Sequence, residues 1–193
     1  MEQCELERIK PIRDFLTDER NRLLAERLKG IECLIRDNVG NIKGRLTDTL
    51  NELALNKEVG VLTISYLRSS YISGSHEFFI AYYAGEVFVE EEPDCIFMDM
   101  RVLFENAEED VHELNRKLEK GFIRVLPAEK EEVRRWYMEQ LYLSFGTVLR
   151  NVWKDVSTEV GTSVYFGGFM DELELIGKIR KEQCTAEIQN SSR

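Results

Sequence analysis

The stretch YISGSHEFFIAYYAGEVFVEEEP, residues 71–93, decides the fold class, because it sets six aromatic residues and five glutamates around one obvious turn. Aromatic and β-branched side chains favour a pleated, half-buried surface. With Ala84-Gly85 as a two-residue turn, a hairpin pairs Tyr83 with Glu86, Tyr82 with Val87, Ala81 with Phe88 and Ile80 with Val89. Alternation then puts Phe78, Ile80, Tyr82, Val87 and Val89 on one apolar face, the expected core. The opposite face mixes Phe79, Ala81, Tyr83 and Phe88 with Glu77, Glu86 and Glu90. A one-residue slip would scramble that separation, so the register is well specified.

The same stretch invites a catalytic reading at Ser75-His76. Neighbouring residues on a strand point to opposite faces, which argues against proton transfer between them. No GxSxG elbow is present. Ser69, Ser70, Ser73, Gly74 and Ser75 are instead what a bend between antiparallel strands needs. This is a hairpin entry.

Upstream, VGVLTISYLRSSY is β-branched and aromatic and reads as the preceding strand. Before it, residues 5–38 read as helix in two pieces, with Thr17 as an N-cap followed by Asp18 and Glu19. Leu24, Leu28, Ile31 and Ile35 form one apolar stripe, Gly30 weakens the helix, and Val39-Gly40-Asn41 ends it. A shorter helix covers about 45–56.

Downstream of Pro93, Phe97, Met100, Phe104, Ala107, Val111, Leu114 and Leu118 step by three and four. That spacing predicts one long helix with a heptad seam, stopped at Gly121. FIRVL at 122–126 suggests a short strand. Pro127 opens another helix, to about 155, with a broad apolar face from Val133 and Trp136 to Val152. TSVYFGGF reads as a strand or a loop, Gly167-Gly168 as a turn, residues 169–182 as a last helix, and 183–193 as a fraying tail.

The sum is an α+β chain: N-terminal helices, a central antiparallel sheet of three to four strands, and C-terminal helices packed on the sheet. It is expected to be a single domain over 1–193, with helices in 1–57, strands in 58–92 and helices in 93–182. At 193 residues, 43% hydrophobic and 32% charged, neither metal nor disulfide is needed for stability. Cys4, Cys33, Cys95 and Cys184 form no CxxC pair, so free thiols in a reducing cytoplasm are expected, with Cys95 buried and inert. The segment MEQCELERIK has no apolar core of a signal peptide, and no run reaches the roughly 18 apolar residues of a membrane span.

Other chemistries fail on spacing. His112 lacks the second histidine of HExxH, because position 116 is Arg116. Glu109-x-x-His112 occurs once, where a di-iron bundle needs that pair twice, so His112 is expected to be structural or solvated. No phosphate-binding glycine loop occurs. Glu90, Glu91 and Glu92 would point alternately from a strand and cannot converge on one cation; a solvated edge is the expected role. No metal, cofactor or catalytic residue is therefore predicted.

The net charge of −10 repels nucleic acid overall. Residues 8–45 carry ten Lys/Arg against six acids, the weaker case for a nucleic-acid contact. The residual signal is aromatic. Arg68, Tyr71, His76, Phe79, Tyr83 and Phe88 are the candidate binding surface, since aromatics with arginine anchor interfaces. The favoured function is a non-catalytic, cytoplasmic protein-interaction role, as adaptor, inhibitor or regulatory subunit, with a basic partner suited to the acidic surface. The alternative is a small-molecule enzyme or sensor with a pocket between the sheet and the 128–155 helix. Surplus apolar surface on that helix, including Trp136, Phe145 and Trp153, further suggests a homodimer.

Overall fold

Five strands form one sheet in the order β3-β2-β1-β4-β5 in the computed structural model, which describes residues 2–37, 41–54, 60–89, 93–153 and 162–178. In chain order the elements are α1 (Glu2–Arg36), α2 (Ile42–Ala54), β1 (Val61–Tyr66), α3 (Arg68–Ser73), β2 (Glu77–Tyr83) and β3 (Asp94–Asp99). There follow α4 (Arg101–Phe104), α5 (Ala107–Gly121), α6 (Pro127–Trp153), β4 (Ser163–Gly168) and β5 (Leu173–Lys178). The α+β class is as expected, but the sheet is mixed and larger. β1 runs antiparallel to β2 and parallel to β4.

The two faces of β2 separate as the alternation predicts. Phe78, Ile80 and Tyr82 join the main core, whereas Phe79, Ala81 and Tyr83 form a second cluster with Leu67, Val87 and Phe88. On the core side α6 lies against the sheet: Tyr142 and Phe145 meet Phe78 at ring separations of 5.3 and 5.7 Å. Phe104 stacks on Tyr142 at 4.7 Å. α1 then packs on α5 and α6, and α2 on β2 and β3.

The hairpin partner is not 86–90. Val89 N–H bonds back to the Glu86 carbonyl and Phe88 sits at φ 64°, so this segment is a turn. A type I′ turn needs φ > 0 at both central residues; neither Ala84 nor Gly85 takes it. Val87 accordingly packs with Phe79 and Tyr83, and Val89 is exposed. Instead β3 pairs with β2 in an unbroken ladder, Phe78 opposite Met98, Phe79 opposite Phe97 and Ile80 opposite Ile96. Like side chains meet across the strands, and this packing outweighs the helical spacing of the same residues.

The long seam is thereby cut. Asp99 Oδ1 accepts from the Arg101 N–H at 2.8 Å and starts α4, and Met100 N–H bonds the His76 carbonyl. Only α5 keeps the seam, through buried Ala107, Val111, Leu114 and Leu118. Three further expectations are corrected. Residues 122–126 form no strand, because Arg124 has φ 57° and the segment bridges two helices. Residues 173–178, read as helix, pair with β4. Gly167 and Gly168 close β4 and precede no helix.

At the N-terminus, Glu2–Arg36 is one continuous helix, not two. Thr17 lies inside it and its hydroxyl bonds the Arg13 carbonyl at 2.7 Å, so it caps nothing. Gly121 ends α5 under a close approach: a Cβ there would sit 2.4 Å from Phe15. The bend after β1 is a short helix, α3, closed by Gly74 in the left-handed conformation. The expected helix stop at 39–41, the Glu90–Glu92 edge, the end of the 128–155 helix beyond Trp153 and the tail at 183–193 lie wholly or largely outside the described residues.

Candidate interaction surface

All the described helices that touch the sheet cover one face, and the other face is lined by residues of every strand. By register, Cys95 and Phe97 of β3, Phe79, Ala81 and Tyr83 of β2, Thr63 and Ser65 of β1, Tyr165 and Gly167 of β4 and Leu175 of β5 share it. An aromatic lattice crosses one side. Phe79 contacts Phe97 at 5.3 Å and Phe169 at 5.1 Å, and Phe88 bridges Phe169 and Tyr83. The lattice emerges at the surface: Phe97 is 58% and Phe169 40% exposed. Leu175 and the turn residue Met170 are exposed as well.

Carboxylates border this lattice. Glu77 and Asp99 stand directly opposite each other on the β2–β3 ladder, on the side of Phe79 and Phe97. Both are exposed, and neither forms an ion pair among the described residues. Like charges directly opposed on a sheet repel. Glu86 lies in the bend after β2, and Asp171 and Glu172 in the β4–β5 turn. Beneath, the hydroxyls of Thr63 and Ser65 are fully buried without a hydrogen-bond partner. An unmet buried hydroxyl costs about 1–3 kcal/mol, so Thr63→Val should raise stability by about 1 kcal/mol. A lower urea midpoint for the valine variant would show that the hydroxyl is satisfied.

Of the six residues expected on a binding surface, the structure gathers Phe79, Tyr83 and Phe88. Arg68 lies apart, exposed at the ends of β1 and β4, with Nη2 3.9 Å from Asp171 Oδ2. It borders an open hollow of about 320 Å³ shared with Tyr66, Phe169 and Met170. Between sheet and α6, where a pocket was expected, the space is filled by Tyr66, Phe78, Tyr142, Phe145 and Phe166. Tyr71 and His76 are on the wrong side of the sheet for the surface. Tyr71 is buried against Tyr142, and its carbonyl accepts from Arg134.

His76 takes φ 51°, which turns its ring inward: Nδ1 lies 2.6 Å from the Tyr142 hydroxyl, beside Phe104. Burial is the main cause that lowers its pKa and raises that of Tyr142. Because the folded chain holds His76 neutral, the unfolded chain binds the extra proton as pH falls through about 6.5. Stability is therefore full above that pH and declines below it, until the folded-state value is passed. In urea melts, the drop between about pH 7.5 and 5.5 should be smaller for His76→Asn, since asparagine also tolerates positive φ. Equal drops would remove His76 from the account.

The remaining candidates settle simply. Cys95 is exposed on β3, not buried, because the strand that carries it is the sheet's edge. His112 is solvent-exposed beside buried Val111. Four basic residues of α1 form ion pairs with acids of other helices: Arg8 with Glu129, Arg13 with Glu132, Arg22 with Glu113 and Arg27 with Asp110. Arg20 stacks over Trp136 at 4.3 Å. Among the described residues no cluster of His, Cys, Asp and Glu could hold a metal, and no helix is long and apolar enough to cross a membrane.

Of the α6 residues that suggested a homodimer, Trp136 and Phe145 are buried within the chain, and the Trp153 side chain lies outside the described residues. Trp136, Tyr137, Leu141, Phe145 and Leu149 are all buried against α1, α5 and the sheet. Comparison with protein-family models, curated proteins and solved structures finds no match to this chain.

Sequence reasoning missed Phe97, Phe169 and Leu175. Phe97 was absorbed into the helical seam, although CIFM after Pro93 has strand character. Phe169 follows a segment whose strand reading was open.

Proposed function

We propose that this is a non-catalytic protein that acts by binding another protein, as an adaptor, inhibitor or regulatory subunit, through the solvent-exposed aromatic rim of the sheet's second face. One observation carries the reading: aromatic side chains that pack together in a lattice, Phe79, Phe97, Phe88 and Phe169, reach solvent at its rim. Rigid aromatic anchors gain much from desolvation and lose little entropy on docking. The unpaired Glu77 and Asp99 beside them favour a partner that brings lysine or arginine, since opposite charge would relieve their repulsion. A cytosolic setting fits the exposed free thiols of Cys33 and Cys95.

The experiment is site-specific photo-crosslinking in cells of the source organism. A photoreactive phenylalanine analogue at Phe97 should give a discrete protein adduct whose crosslinked segment is basic. The same analogue at Ile123, which is exposed on the α5–α6 connection, should not. Equal adducts at both positions, or none at Phe97, would overturn the reading.

A further inference from the structure

The two edges of the sheet are not alike. β5 carries an irregularity opposite Val164 and Tyr165, a bulge that disrupts regular pairing at that edge. β3 pairs with β2 over six consecutive residues without a shift. Natural sheets protect such an edge with lysine, an internal proline or a bulge. β3, Asp-Cys-Ile-Phe-Met-Asp, has no lysine, internal proline or bulge and is charged only at its two ends, by Asp94 and Asp99, and among the described residues no strand pairs with its outer side. Its Ile96 and Phe97 are both exposed, one on each face of the sheet. A regular edge with an apolar centre and acidic ends is a template for a basic strand.

Resting on the proposed function, we propose that the partner binds by strand addition: an extended basic segment, alternating apolar residues with lysine or arginine, pairs with β3 along its exposed centre at Ile96 and Phe97. Main-chain hydrogen bonds to β3 supply the attachment, and alternate side chains supply the selectivity. One face of the added strand falls beside Phe97, at the margin of the aromatic lattice. Its cationic groups come within reach of Asp99 and Glu77, whose opposed carboxylates have no cation of their own. The other occupant of such an edge, β3 of a second copy, is disfavoured by charge. Antiparallel pairing about Ile96 and Phe97 would set Asp94 of each copy against Asp99 of the other, in chains that each carry −10.

The test uses the whole chain and a short fluorescent peptide alternating valine and lysine, read by anisotropy. Three comparisons accompany it: the peptide N-methylated at its central amides, the peptide with glutamate for lysine, and the Phe97→Thr chain. Threonine keeps strand propensity at an exposed site. The parent peptide should bind, N-methylation should weaken it by at least about tenfold, and Phe97→Thr should weaken it measurably. The glutamate peptide should not bind. Equal binding of the parent and N-methylated peptides, both weakened by Phe97→Thr, overturns strand addition but leaves face docking standing. Binding unaffected by Phe97→Thr is charge attraction alone and overturns the inference. No binding at all overturns it too, and crosslinking from Phe97 then decides whether the functional reading also falls. A wild-type chain that is dimeric by light scattering and becomes monomeric on Phe97→Thr assigns the edge to a second copy, against the proposal.

Discussion

Replacing Asp110 by alanine is expected to cost about 1–3 kcal/mol, because it strips a half-buried guanidinium and a buried phenol of their shared acceptor. Asp110, on α5, accepts from Arg27 Nε and Nη2 of α1 at 2.8 Å each, and the Tyr137 hydroxyl of α6 donates to its Oδ2. The one carboxylate therefore ties three helices. Its effect on its partners is legible in their chemistry: the Asp110 hydrogen bond is the leading cause that raises the Arg27 pKa. Burial, reinforced by Asp110, pushes the Tyr137 hydroxyl up as well. Alanine would leave the half-buried Arg27 guanidinium and the buried Tyr137 phenol without that acceptor. Urea unfolding should report the loss, and replacing all three, Arg27→Met, Asp110→Leu and Tyr137→Phe, should recover most of it. A loss below about 1 kcal/mol for the single variant would mean that water reaches the triad.

Leu114→Glu is expected to abolish folding. Leu114 is fully buried within the single chain, on the face of α5 that retains the seam. An ionised carboxylate there has no partner, and its desolvation rivals the roughly 5–15 kcal/mol net stability of a whole domain. Loss of near-ultraviolet circular dichroism and of a cooperative melt is the expected result. A folded monomer would instead mean that Leu114 lies at a subunit contact, which its burial inside one chain contradicts.

Side-chain periodicity made part of this fold legible. In β2 alternate residues are committed to opposite faces, so Phe78, Ile80 and Tyr82 could be separated from Phe79, Ala81 and Tyr83 without coordinates. The stripe Leu24, Ile31 and Ile35 of α1 and the buried face of α6 followed from the 3.6-residue period in the same way. Short apolar runs are where the method stops. Cys95 to Met98 fits both periods, and only pairing with β2 chooses the strand. The β1–β4 pairing is parallel and joins segments about a hundred residues apart, which no local pattern encodes. β5 is an exposed edge rich in charge, and its partner strand, not its propensity, makes it extended.

For the candidate site the outcome divides along the same line. Phe79, Tyr83 and Phe88 were found because alternation and their proximity to the bend placed them together. Tyr71 and His76 were lost to the core because α3 and a positive φ redirect them, and neither is visible in composition. Phe97 required the correct third strand.

Hydrogen exchange of the whole chain with and without the valine–lysine peptide tests the central claim most directly. If the exposed aromatic rim and the β3 edge are the docking surface, slowing appears in β3 and in the turn around Phe169, and α1 is unchanged. Slowing confined to the basic helix α1, or to the β4–β5 turn with β3 unchanged, would contradict it.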